Sequence, residues 1–179
     1  DSVIGNKSGK VLLTMFFQNS NLLLAFLRDH NTARSVLDVF NDLYAMFGRE
    51  TYCRLFPVIL TDRGSEFSNP VPIEQDENGK LRSLVFYCNP SAPYQKGGIE
   101  VAHELVRRVL PKGKSFDDLQ QEDIDLMLSH INSYKRGKLN SRSAYQLFNF
   151  IYGDDILPKL NIREIEANDI VLSPKLLKK

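Results

Sequence analysis

Val58-Ile59-Leu60-Thr61-Asp62-Arg63-Gly64-Ser65-Glu66-Phe67, Val85-Phe86-Tyr87-Cys88-Asn89-Pro90-Ser91-Ala92-Pro93-Tyr94-Gln95-Lys96-Gly97-Gly98-Ile99-Glu100 and the following Val101-Ala102-His103-Glu104-Leu105-Val106-Arg107-Arg108-Val109 make up the stretch that decides the fold. The apolar run Val58-Ile59-Leu60 delivers one carboxylate, Asp62, into a turn at Gly64. A second apolar run, Leu84 to Tyr87, leads into a Pro/Gly-rich loop. That loop opens a helix with another carboxylate, Glu100, in its first turn. Acids set at a strand end and at a helix start are well placed to converge on a shared metal.

Outward from that centre, the chain reads as one α/β domain. Toward the N-terminus, Asp1 to Ile4, Lys10 to Phe17 and Leu22 to Arg28 predict a three-stranded antiparallel meander, with a turn across Gly5 to Gly9. A helix follows, capped by Asn31 or Thr32, with Val36, Phe40, Leu43 and Phe47 at helical spacing and Gly48 as its stop. Phe56 to Thr61 is a fourth strand, too uniformly apolar for an edge, and so expected at the centre of a sheet. Val71 to Glu74 suits a turn of helix, and Ser83 to Cys88 a fifth strand.

Toward the C-terminus, helices are expected from Lys96 or Gly97 to Leu110, from Leu119 to Tyr134, and from a Ser143 cap to Gly153. Asp169 to Leu172 is a strand candidate in the tail. Three strands, a helix, two strands and then helices predict a ribonuclease-H-like mixed five-stranded sheet flanked by helices. We divide the chain into a core over 1–155 and an extension over 156–179. In this layout the acids fall at Asp1 on the first strand, Asp62 after the fourth, and Glu100 on a later helix.

Composition excludes several classes. A chain of 179 residues, 42% hydrophobic and 25% charged, is globular rather than disordered. No apolar run approaches the roughly 18 residues of a membrane span. Cys53 and Cys88 form neither a disulfide framework nor a zinc pattern, which fits a reducing cytoplasm. No signal or transit segment is legible, and a chain opening on a strand at Asp1 is expected to be cut from something longer. The net charge of +1 conceals clusters. Arg107, Arg108, Lys112 and Lys114 form one, and Lys135, Arg136, Lys138 and Arg142 another, with acids from Asp117 to Asp125 between them.

Two divalent ions can hold the attacking and the leaving oxygen of an in-line phosphoryl displacement. Magnesium takes hard oxygen ligands, of which one or two are usually carboxylates. Three acids pressed together without a cation repel one another, by about 4 kcal/mol per pair at 4 Å and an effective dielectric of 20. Each acid also has a plainer account. Asp62 suits a turn, Glu100 complements a helix dipole or pairs with Lys96, and Asp1 is terminal.

The blocks Leu60-Thr61-Asp62-Arg63-Gly64-Ser65-Glu66-Phe67, Phe86-Tyr87-Cys88 to Gln95-Lys96-Gly97 with Glu100, and His103-Glu104 to Leu110-Pro111-Lys112-Gly113 resemble the catalytic core of insertion-sequence transposases of the IS-thirty family. Asp1 to Gly5 with Gly9-Lys10 resembles the family's opening block, and the similarity continues through Ser129 to Tyr134 and Tyr145 to Phe148. The resemblance implies a DDE strand-transfer enzyme of the bacterial nucleoid, assembled as a homo-oligomer on transposon ends and target DNA. In it, Asp1, Asp62 and Glu100 bind two Mg²⁺ or Mn²⁺ ions. Lys96 would meet a phosphate, and Arg107, Arg108 and Lys112 would extend the DNA contact. His103, three residues after Glu100, is a candidate for orienting a ligand or an ordinary surface histidine.

The chain departs from the family at Arg63, at Val101-Ala102 and at Ala144, where Asn, Asn-Asn and Pro are usual. Arg63 is expected to compete with a cation for Asp62. Val101 removes an amide of the kind whose loss costs roughly 10–100-fold. These departures leave a second reading, a nucleic-acid-binding or assembly module that has lost its metal site. A ribonuclease H acting on RNA–DNA hybrids is a third.

Overall fold

The meander forms where alternating turn and apolar segments demand it. The computed structural model describes residues 1–6, 9–89 and 93–177. Parts of the expected Gly5 to Gly9 turn and of the loop before Lys96 fall outside these residues. Strands β1 (Ser2–Ile4), β2 (Val11–Phe17) and β3 (Leu22–Arg28) make a sheet in that order, with Val3 opposite Leu12 in an antiparallel β1–β2 ladder. The β2–β3 turn closes through the Asn21 N–H, which donates to Phe17 O, with Asn21 at φ 58°.

The chain folds as two compact units. The first holds Asp1 and Arg28–Lys96, and the second Ser2–Leu27 and Gly97–Lys179.

In the first unit, α1 (Ala33–Leu55) starts at Thr32, whose hydroxyl accepts from the Ser35 N–H in a reciprocal capping box. Gly48 (φ 72°, ψ 165°) interrupts the helix as expected, yet helical backbone resumes beyond it to Leu55. The second segment continues because Tyr52 and Leu55 bury an apolar stripe of their own. Strand β4 (Val58–Thr61) pairs in parallel with β5 (Leu84–Tyr87), and α2 (Val71–Glu74) lies between them in sequence. Val36, Phe40, Leu43, Tyr52 and Ile73 are buried. The buried Arg82 donates to the carbonyls of Pro72 and Ile73 and to Asn41, and its guanidinium sits 5.1 Å from the Tyr44 ring centroid.

Two expectations fail in the sheets. The strands form a three-stranded and a two-stranded sheet, rather than one of five. β4 is not a buried central strand, since Val58 and Leu60 are 56% and 46% exposed, opposite the exposed Leu84 and Phe86. Apolar content alone could not distinguish a strand buried on both faces from one that bares a cross-strand apolar pair.

In the second unit, α3 (Gly97–Val109), α4 (Gln121–Ser133), α5 (Ala144–Tyr152) and α6 (Ile156–Lys159) accompany the meander. Ile99, Ala102, Val106 and Val109 form the buried face of α3, as their spacing predicts. Gly98 lies against β2, where an added Cβ would collide with the Phe16 ring. Ser143 caps α5 and Gly153 ends it.

Two amides on α4 occupy the open edge of β3. Asn132 accepts from the Leu23 N–H at 2.9 Å and donates to Leu23 O at 2.8 Å. Gln121 accepts from the Leu27 N–H and donates to Ala25 O. The expected strand at Asp169 to Leu172 does not form. A 3₁₀ turn takes Ala167–Asp169, and the Val171 N–H donates to His130 Nδ1, so a side chain replaces the strand partner. Among the described residues no helix is long and apolar enough to cross a membrane.

Candidate active site

Asp62 follows the last residue of β4, where the strand gives way to a short loop. Its Oδ1 accepts from the Gly64 N–H at 3.0 Å, the local bond that Asp-x-Gly chemistry provides. Its Oδ2 accepts from Lys96 Nζ at 2.9 Å, and the same ammonium lies 3.1 Å from Asp1 Oδ2. The two acids expected to share a cation thus meet on one, and that cation is the side chain of Lys96. Partial burial pushes the Asp62 carboxyl up, but the bonds from Lys96 and Gly64 outweigh it and hold the group below its usual range.

Glu66 belongs to the same neighbourhood. An added Cβ at Gly64 would come within 2.5 Å of Glu66 Oε2 and 3.1 Å of Asp62 Oδ1, so glycine keeps the space over both acids open. Arg28 is buried at the end of β3 and donates to Asn31 and Ser35, with the Glu66 charge acting on it. Glu66 stands in the same sequence block as Asp62, and sequence reasoning misses it because its spacing matches no acid pair. Its position after the Gly64 turn is the available signal.

Arg63, expected to compete for Asp62, is exposed and forms no ion pair with it. Lys96, expected to face a phosphate, is the competitor instead. Glu100 is exposed in the first turn of α3, in the second unit. Among the described residues no three His, Cys, Asp or Glu side chains gather as a ligand group.

The remaining candidates lie in the second unit. His103 Nε2 is 2.8 Å from the buried Thr14 hydroxyl, which ties α3 to β2. Arg107 donates from Nη2 to Ile4 O at 2.9 Å, binding the same helix to β1, whereas Arg108 and Lys112 are exposed.

Comparison with known proteins bears on the fold and on what the chain resembles. No family model matches the chain. A putative integrase, ORF3, of Spiroplasma virus SpV1-R8A2 B is 29% identical over 83% of this chain and 44% of that protein. Transposase InsI of insertion element IS30A from Escherichia coli K12 is 22% identical over 82% of this chain and 36% of that protein. The transposase of IS1086 from Cupriavidus metallidurans is 35% identical over 63 residues. The chain therefore spans less than half of the length of these relatives. The catalytic core of the BIV integrase superposes with a TM-score of 0.56 at 22% identity, covering 85% of this chain and 90% of that one. The chain is thus similar to transposases of the IS30 group and to integrases, and it has the fold of an integrase catalytic core.

Proposed function

We propose that this chain is the catalytic core of a metal-dependent DNA transposase, which cuts transposon ends and joins the freed 3′-hydroxyl to target DNA. The observation that carries the proposal is the convergence of the Asp1 and Asp62 carboxylates on a single cation, Lys96 Nζ. Carboxylate oxygens are the donors that magnesium and manganese prefer, and an ammonium held between two of them marks a place where positive charge is stabilised. The names of the relatives support the DNA-processing class.

In this reading Asp1, Asp62 and Glu100 hold the metal, as two ions. Bound metal would supply a nucleophile at neutral pH and charge stabilisation on the leaving oxygen. Lys96 has two roles. It neutralises the acids until the cation displaces it, and it is then free to meet a DNA phosphate. Arg108 and Lys112 extend the phosphate contact, and Arg107 fixes the helix that carries Glu100. The working unit is a homo-oligomer that brings two ends together.

A second reading rests on the same ion pairs. If Lys96 is a permanent counter-ion, the chain is a nucleic-acid-binding or assembly module. Calorimetry with Mn²⁺ separates the two, using this chain and its Asp62→Ala, Glu100→Ala and Lys96→Gln variants. The catalytic reading expects binding that disappears in the first two variants and tightens in the third. Absence of binding in both the parent and Lys96→Gln would transfer the chain to the second reading.

A further inference from the structure

Arg136 lies in the turn between α4 and α5, and it is 9% exposed. Its Nε and Nη2 are buried without a hydrogen-bond partner. Among the described residues no carboxylate acts on this guanidinium. Burial pushes its pKa down, and Tyr134 is the titratable neighbour that opposes the shift. A buried charge without a counter-ion is among the most costly arrangements in a folded chain.

The backbone adds a second, independent observation. Arg136 and Arg142 form an isolated antiparallel bridge, closed by the Arg136 N–H donating to Arg142 O at 3.2 Å. Residues directly opposite in such a bridge leave the backbone on the same face, so the exposed Arg142 starts from the side of the turn that carries Arg136. Lys135, Lys138 and Arg142 are exposed around it, and residues 135–142 contain no acid. Four cations, one of them buried, are held together with nothing inside the turn to neutralise them.

We propose that this turn is a second phosphate-binding site, in which a DNA backbone phosphate supplies the anion that Arg136 lacks while Lys138 and Arg142 flank it. A guanidinium offers a planar fork that matches two phosphate oxygens. Phosphate contacts of this kind fix orientation on the duplex and carry no sequence information. The inference rests on the DNA-processing reading above and adds a contact surface separate from the acids.

The test is binding of a fluorescent duplex by the parent chain, by Arg136→Met and by the Lys138→Gln/Arg142→Gln double variant, across a salt series. Thermal melts are run on all three, with and without inorganic phosphate. Arg136→Met is expected to melt higher than the parent, because an unpaired buried charge is gone. It should bind DNA roughly tenfold more weakly, with a log–log salt slope shallower by about one. The exposed double variant should weaken binding with its melting temperature unchanged. Inorganic phosphate should raise the melting temperature of the parent and leave that of Arg136→Met unchanged.

Four results would overturn the proposal. If Arg136→Met melts lower or fails to fold, and the double variant binds DNA as the parent does, Arg136 is a structural residue. If phosphate protects the parent but Arg136→Met binds DNA normally, the site takes free phosphate rather than DNA. If the parent binds no DNA under any condition, both this site and the DNA-processing reading fall. Unchanged affinity in the variants of a DNA-binding parent removes this site alone.

Discussion

At the scale of single residues, the informative partner of the candidate site is a lysine. Lys96 donates to Asp62 and pairs with Asp1, and this governs how the site responds to acid. A carboxyl whose folded pKa is depressed stabilises the fold above its unfolded pKa, and the contribution is lost as pH falls through the folded value. Lys96→Gln removes the larger of the favourable contacts to Asp62, so the carboxyl should titrate at higher pH than in the parent. NMR titration of the Asp62 side chain measures the shift; an unmoved midpoint would leave the Gly64 N–H and the α-amino group of Asp1 as the causes. Asp62 and the Gly64 turn were legible in the sequence because both obey local rules. Lys96 was not legible as the partner of Asp62, 34 residues away, since only the fold brings them together.

His130 makes a second case at this scale. It is 7% exposed, and its Nδ1 accepts from the Val171 N–H. Burial first, and the charge of Arg163 second, hold the imidazole below its ordinary pKa, against a smaller pull from Asp169. The unfolded histidine takes up a proton below about pH 6.5 while the folded one resists. Stability is therefore full above that pH and declines as the solution is acidified. His130→Asn should flatten the slope of unfolding free energy against pH between about 7.5 and 5.5, as measured by urea denaturation.

At the scale of elements, capping chemistry was readable and edge chemistry was not. Thr32 and Ser143 announced two helix starts, and Gly48 marked a break in α1, because each is a local backbone event. The resumption of α1 after Gly48 depended on buried partners for Tyr52 and Leu55, which spacing alone does not reveal. Asn132 is fully buried on α4, and its purpose emerges only with Leu23 opposite. Asn132→Leu leaves a buried N–H and a buried C=O of β3 without partners. It should cost about 3 kcal/mol in chemical denaturation, whereas Thr32→Ala should cost about 1 kcal/mol. Gly98→Val should also destabilise, by about 1–3 kcal/mol, because β2 offers no room beside Phe16.

At the scale of the whole molecule, a net charge of +1 hides separated basic clusters, so affinity for DNA should depend on local phosphate contacts. Binding should fall steeply with added salt, and a weak dependence in fluorescence anisotropy would show that the basic clusters are not the binding surface. The α/β class and the order of elements were readable because three short strands, each bounded by turn residues, precede the first helix. The division into two sheets was not readable, for the pairing of a strand is decided by its neighbours in space.

The amides of Gln121 and Asn132 also bear on how the chain is made. Leu22 to Leu27 is an unbroken apolar run, and it is a ready template for pairing with other chains until α4 arrives. Leu23 and Asn132 are 109 positions apart. At a synthesis rate of about 5–20 residues per second, the segment leaves the ribosome roughly 5–20 seconds before its cover. Production of this protein is thus exposed to a timing hazard, and slower translation beyond β3 should lower the soluble yield while leaving the finished molecule unchanged.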